Sequence, residues 1–468
     1  MSKTIKNYIG DKKFYKHAFM IILPIMAQQL FLSIAGYVDS LMINSYGGNF
    51  DAFNGVSAAN RLMFIFQFVF IGLASAASIF ISQYYGAGKK EKVSSSFSFA
   101  IIVAFVFGIL SFIITEVIGD RVVDAFLTSE SARQYGYRYL DIMGWGSIIT
   151  SLNIAVSSSF RSIKRTVLPM VCGIIGIVVN ICLNYTLIFG HFGFAAMDAT
   201  GAAIATIISR AVELIILLFF AITSKDGYFK GFYKFKIDKK LIRPYIVKGS
   251  PLVFSEILWS LGIIIFTYFY TYKNDLWYNA YAYSQNISDL FFIIFAGLGN
   301  GTAIIIGAKL GANDFEGAKR DADRMKGLSI MLGAVSGILM VLLSPVILQL
   351  FNPTPEAEKI VIQVLIVTAF FLTIYAYNGC CFFIMRAGGD SLRTFILDQG
   401  ATYLIAIPIA IVCGVNASAW GLTLPMIFLV SHIADVIKIF VATKFVHMGK
   451  WIVNLTKSKP KDIDPTLI

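Results

Sequence analysis

The sequence predicts an all-α membrane protein: twelve transmembrane helices in two six-helix bundles related by pseudo-twofold symmetry along the membrane normal. Three observations lead there. Of 468 residues, 57% are hydrophobic and only 14% charged, too little charge to cover a soluble domain of this size. Apolar stretches of the roughly 20 residues that a helix needs to cross the hydrocarbon core recur along the whole chain. The first half of the sequence also reappears in the second.

Apolar runs between charged breaks give spans at 17–45, 53–82, 93–118, 133–160, 168–189, 199–222, 246–272, 279–308, 327–351, 357–386, 394–413 and 418–445. In lipid each backbone polar group must be paired within its own segment, so these are helices. The first follows Lys3, Lys6, Lys12, Lys13 and Lys16, as a signal peptide does, but it is too long and carries Gln28, Gln29 and Asp39. The domains expected are a first bundle over 1–223, a cytoplasmic linker over 224–245, a second bundle over 246–446 and a cytoplasmic tail over 447–468.

An even number of spans puts both termini on one side. The termini and the loops after spans 2, 4, 6, 8 and 10 hold 32 of the 39 Lys and Arg residues. The positive-inside rule therefore places both termini in the cytoplasm of a multi-pass cell-membrane protein. The linker's basic and aromatic mixture, KDGYFKGFYKFKIDKK, suits the headgroups of the inner leaflet. The net charge of +12 is scattered over the loops of one face, so a nucleic-acid partner is not indicated. Five cysteines in apolar segments, without C-x-x-C spacing, read as packing residues rather than a zinc or disulfide framework.

Shifted by 225 positions, the first half falls on the second. Gly72 meets Gly297, Gly86-Ala87 meets Gly311-Ala312, Asn153 meets Asn378, and Arg161 meets Arg386. At the first helix of each half the shift is 227, with Pro24 over Pro251. Each copy holds an even number of spans, so both enter the membrane in the same orientation. A cavity between the halves and transport by rocking follow as expectations.

Ionisable groups in lipid cost about 2.5–3.5 kcal/mol each on insertion scales and need an account. Asp39 lies in span 1, Glu256 in span 7 and Asp289 in span 8. Arg210 and Glu213, at i and i+3, read as an ion pair. Arg61 pairs with a carboxylate or reaches the outer interface. Asp398 and Asp435, near helix ends, read as capping or interfacial groups. Span 5 carries Asn180 and Asn184 on one face, at i and i+4, and span 6 carries Thr206. A carboxylate, two amide carbonyls and a hydroxyl are hard oxygen ligands that suit Na⁺, while the carboxylate alone suits a proton. The bland alternative is that the Asn and Thr groups knit helices together.

These residues carry a resemblance over essentially the whole chain to multidrug and toxic compound extrusion (MATE) transporters of the prokaryotic type. The motifs are Pro24 followed by Asp39 in VDS, the Gln83-to-Gly88 end of span 2 with its echo at Gly311-Ala312, and Arg161 and Arg386 ending spans 4 and 10. The resemblance implies an H⁺- or Na⁺-coupled antiporter that exports organic, often cationic, drugs or toxic metabolites by alternating access. It implies no enzyme activity, no cofactor and no metal beyond Na⁺ at Asp39. It assigns coupling-cation binding to Asp39, Asn180, Asn184 and Thr206. The family position at Asn184 is often Asp, which leaves one acid in the site.

The second half departs from the pattern. The seventh-helix acid of several subfamilies falls at Trp259, with Glu256 three residues earlier, and the tenth-helix acid falls near Tyr375. Glu256, Asp289, Gln285, Asn153 and Asn378 are the expected substrate-cavity or second acidic groups, and Pro24 the expected bend in span 1. The chain's 41 Phe and 22 Tyr offer aromatic faces for a flat lipophilic cation. A monomer in the bilayer that binds a small organic molecule is expected. The competing readings are a lipid-linked oligosaccharide flippase and a non-transporting membrane protein. Asp39, Asn180 and Asn184 align with Phe266, Ile405 and Ile409, so the repeat predicts that coupling belongs to the first half.

Overall fold

The computed structural model describes residues 7–45, 50–351 and 353–457. Lys3, Lys6 and residues 458–468 of the expected tail lie outside the described residues. Among the described residues every regular element is helical. Ten long helices come first: α1 (Lys12–Ser45), α2 (Phe50–Gly86), α3 (Lys90–Phe126), α4 (Glu130–Ser162), α5 (Val167–Leu187), α6 (Asp198–Thr223), α7 (Lys239–Tyr270), α8 (Asp275–Gly311), α9 (Phe315–Leu348) and α10 (Pro355–Ala387). Span 11 combines α11 (Ser391–Ala401), a π-helical turn (Thr402–Ala406) and α12 (Ile407–Val415). After α13 (Ala417–Trp420), span 12 is α14 (Leu424–Ser431) followed by α15 (Ile433–His447).

Twelve helical segments are long and apolar enough to cross a membrane, at the expected places. Side chains such as Leu404, Phe370 and Phe440 stay exposed, as lipid contact allows. The chain is a multi-pass membrane protein. Ser129, Asn274, Asp314 and Thr354 stop their loops by accepting the N–H three residues on, at the starts of α4, α8, α9 and α10. Span 12 begins at Leu424 rather than 418, because Gly421 turns into the left-handed region (φ +62) and Pro425 opens the next helix.

The chain forms two compact units, Ala27–Ile257 and Met1–Met26 with Leu258–Ile468. The divisions fall inside α1 and α7, not at the linker. The first turns of α1 are built into the second unit, where Phe14, Ile21, Ile22 and Ile25 join a core with α8, α9 and α10. A Cβ on Gly297 would lie 2.3 Å from Met26 Cγ, so glycine lets α1 reach α8. The first unit repeats the arrangement with α7. A Cβ on Gly72 would lie 2.9 Å from Val253 Cα, and Tyr245 Oη donates to the Leu73 carbonyl at 3.0 Å. Gly72 and Gly297 are repeat partners, as are Val253 and Met26. Each unit therefore receives the opening turns of the other half's first helix.

The linker is docked, not spread. Phe229 packs on Phe97 and Phe160 with ring centroids 4.4 and 4.8 Å away, and Phe232 is also buried. Ser94 and Ser98 donate to the carbonyls of Lys230 and Phe232, and Lys92 pairs with Asp238. Of the linker aromatics expected among headgroups, Tyr233 and Phe235 are the exposed ones.

Candidate functional site

Within the Ala27–Ile257 unit, α1, α5 and α6 bring Asp39, Asn184, Asn180 and Thr206 into one hydrogen-bonded chain. Asn184 Nδ2 donates to Asp39 Oδ1 at 2.6 Å and to Asn180 Oδ1 at 3.3 Å. Asn180 Nδ2 donates to Thr206 Oγ1 at 3.5 Å. The i, i+4 spacing of the two asparagines points both at the same neighbours. At Gly201 a Cβ would lie 2.9 Å from the Leu187 carbonyl oxygen, so glycine permits the close approach of α5 and α6. Asn184 is fully buried, and its Oδ1 has no hydrogen-bond partner among the described residues. A buried acceptor left open costs on the order of 1–3 kcal/mol, a cost that a bound cation removes.

The polar row continues along the same helices. One turn beyond Thr206, Arg210 pairs with Glu213 at 3.2 Å, and Glu213 is only 2% exposed. The expected ion pair is present. Arg161 donates to Gln28 Oε1 and Ser157 Oγ, both at 3.0 Å, and Gln28 Nε2 donates to the Pro169 carbonyl at 3.2 Å. Gln28 and Asp39 are eleven residues apart, within about 20° of each other on a helix, so one face of α1 carries both. That spacing was the available signal for Gln28. Arg61 lies 4.8 Å over the Phe126 ring.

Asn153 and Asn378 are buried ties between helices. Their Nδ2 atoms donate to the carbonyls of Arg210, at 3.3 Å, and Asp435, at 2.9 Å. Glu256 belongs to the Ala27–Ile257 unit, with its Cγ 3.3 Å from where a Cβ on Gly72 would stand. Asp289 is exposed and belongs to the other unit, as does Gln285. Pro24 sits within α1, two residues before the division at Met26.

Asp398 and Asp435 correct the sequence reading of them as capping or interfacial groups. Both pair with Lys438, at 3.2 and 3.3 Å, and Lys438 is only 9% exposed in its side chain. Asp435 and Lys438 have the i, i+3 spacing of Arg210 and Glu213, and that match was the overlooked signal.

The MatE family pattern matches the chain twice, over residues 24–186 and 251–412. The chain belongs to the MatE family. The two matches start at 24 and 251, the positions of Pro24 and Pro251, so the family pattern contains the repeat itself. A MatE protein is a membrane transporter, not an enzyme. Similar relatives include a probable multidrug resistance protein NorM of Thermotoga maritima, 24% identical over 87% of this chain and 88% of that one. Another is the multidrug resistance protein PmpM of Pseudomonas aeruginosa, 26% identical over 86% and 84%. A solved MATE structure in complex with MaL6 shares the fold, with TM-score 0.85 and 17% identity over 96% of this chain and 99% of that one. So does the outward-facing conformation of a multidrug resistance MATE family transporter, with TM-score 0.84 and 17% identity over 96% and 98%.

Proposed function

We propose that this MatE transporter is a cation-coupled antiporter that exports organic cations, drugs or toxic metabolites, by alternating access, and that Asp39, Asn184, Asn180 and Thr206 bind the coupling ion. The observation that carries this reading is the open, fully buried Asn184 Oδ1 beside the Asp39 carboxylate. An amide oxygen and a carboxylate together suit a small hard cation, H⁺ or Na⁺. The names of the multidrug relatives support the substrate class. The charge bias supports cytoplasmic termini, and nothing in the site requires more than a monomer. Glu256 and Asp289 are the second-half acids that would meet a cationic substrate, and α1 bends at Pro24, where the helix has no N–H to donate.

The test is dye efflux from proteoliposomes under separately imposed Na⁺ and H⁺ gradients. One gradient drives efflux, and Asp39→Asn abolishes it with normal insertion. Wild-type transport by that variant rejects the assignment.

A further inference from the structure

The linker between α6 and α7 has two sides, and docking uses only one. Phe229 and Phe232 are buried in the first unit, and Asp238 is occupied by Lys92 and by the Lys240 N–H. The single turn Phe232–Lys234 stands between two left-handed residues, Gly231 (φ +80) and Phe235 (φ +47). Around this turn Tyr233 and Phe235 stay out, 55% and 49% exposed, while Phe232 goes in. A left-handed backbone is strained for a bulky residue such as Phe235. Anchoring does not ask for that strain, since Phe229 and Phe232 already supply the buried rings.

Charge on the same side is not balanced. Between Lys234 and Arg243 stand five cations and one acid, Asp238, which is already taken. Lys234, Lys236, Lys239 and Arg243 are exposed and make no ion pair among the described residues.

Two of these cations continue a stripe that meets lipid. Lys239, Arg243, Val247 and Phe254 lie within about 80° of one another around α7, at 3.6 residues per turn. Val247 and Phe254 are 57% and 60% exposed on a span, where acyl chains cover apolar side chains. Arg243 and Lys239 stand about 6 and 12 Å further along the helix toward the linker, at 1.5 Å per residue. That step leads from the hydrocarbon into the headgroups.

We propose that Tyr233, Lys234, Phe235, Lys236, Lys239 and Arg243 form a docking surface for anionic phospholipid in the leaflet beside the linker. Lipid phosphates accept hydrogen bonds from the ammonium and guanidinium groups. The two rings lie at the boundary between headgroups and acyl chains, where amphipathic and aromatic groups are favoured. A soluble acidic partner matches the charge but leaves the exposed rings and the continuity with Val247 and Phe254 without a role. The buried side of the linker holds the first unit with or without lipid, so bound lipid adds a second hold on the start of α7. The proposal does not depend on the antiport reading.

The experiment uses the full-length protein in phosphatidylcholine nanodiscs, with and without phosphatidylglycerol. It reads the melting temperature and, by native mass spectrometry, the phosphatidylglycerol retained. Wild type retains phosphatidylglycerol and melts higher with it. Lys234→Gln, Lys236→Gln and Arg243→Gln together leave Phe229, Phe232 and Asp238 in place and lower the retention on the order of tenfold. Phe235→Gly relieves the left-handed strain, so it melts no lower than wild type in phosphatidylcholine alone, yet its rise with phosphatidylglycerol is smaller. Equal retention by the triple variant and wild type overturns the surface. A full rise in Phe235→Gly overturns the inclusion of the ring. An equal rise over pure phosphatidylcholine with poly-glutamate or inorganic phosphate overturns lipid as the occupant. Dye efflux is not read, so a failure of the antiport reading leaves these outcomes unchanged.

Discussion

Asn153 and Asn378 stand 225 positions apart and make the same hydrogen bond, each from its side-chain amide to a backbone carbonyl on the last long helix of its half. The acceptors are the carbonyls of Arg210 and Asp435, residues of opposite charge. The backbone tie has been kept while the side chains beside it diverged. Asn153→Ala and Asn378→Ala each remove one tie, at a cost on the order of 1 kcal/mol. Both variants are expected to melt lower than wild type by similar amounts in one detergent. A drop in only one of them argues that the two bonds differ in role.

Met26 belongs to one compact unit and Ala27 to the other. The packing of Met26 against Gly297 therefore lies inside one unit, at the edge of the division. With the five native cysteines replaced by alanine, Met26→Cys and Gly297→Cys together allow a disulfide at this place. Because the link lies within one unit, oxidation is expected to leave efflux undiminished. Loss of efflux from cross-linked protein, restored by reductant, means that the opening turns of α1 leave the second unit during the cycle.

Much of the architecture was legible because lipid leaves so few choices. Twelve apolar runs become twelve spans, and the 225 shift is present in the packing of Gly72 and Gly297. The hydrogen-bonded set of Asp39, Asn184, Asn180 and Thr206 was legible for a local reason: Asn180 and Asn184 share a helix face, and Asp39 is a lone acid in an apolar span. Contacts between distant segments were not. Nothing in the repeat tells that the opening turns of α1 join α8, since that depends on shape at two glycines. Asp398 and Asp435 looked terminal because each was read as lying near the end of its own span. Their pairing needs spans 11 and 12 side by side, which sequence spacing alone does not supply.

Asp238 lies in the linker, outside the spans. Its hydrogen bond from Lys92, with a further one from the Lys240 N–H, holds its carboxyl below the ordinary 3.8. A carboxylate with a lowered folded pKa contributes stability above its unfolded value and loses it as pH falls through the folded one. Linker docking is therefore expected to be constant near neutrality and to loosen only below about pH 4. Hydrogen exchange at Asp238 N, which donates to Ser95 Oγ at 2.9 Å, reports it. Asp238→Asn is expected to exchange faster at neutral pH and to lose the acid step. An acid step that survives in this variant assigns the loosening to another group.

Asn184 is the most informative place to change the chemistry of the proposed coupling site. Its side chain is fully buried, donates to Asp39 and Asn180, and leaves one oxygen open. Asn184→Asp keeps the shape, replaces the donating amide with an acceptor and adds a charge. Two carboxylates beside the Asn180 carbonyl repel one another unless a cation lies between them. A metal ion relieves that repulsion with full charge, so Na⁺ affinity is expected to rise on the order of tenfold, following the count of charged ligands. Without Na⁺ the pair shares a proton, and thermal stability should then depend on Na⁺ where wild type is less responsive. Asn184→Ala removes both donated bonds and the open oxygen, and is expected to uncouple efflux under either gradient while inserting normally. The two variants separate ligation from packing. If Asn184 only knits helices, both lose stability and neither changes the response to Na⁺. If it ligates, Asn184→Asp gains a Na⁺-dependent melting shift that Asn184→Ala lacks.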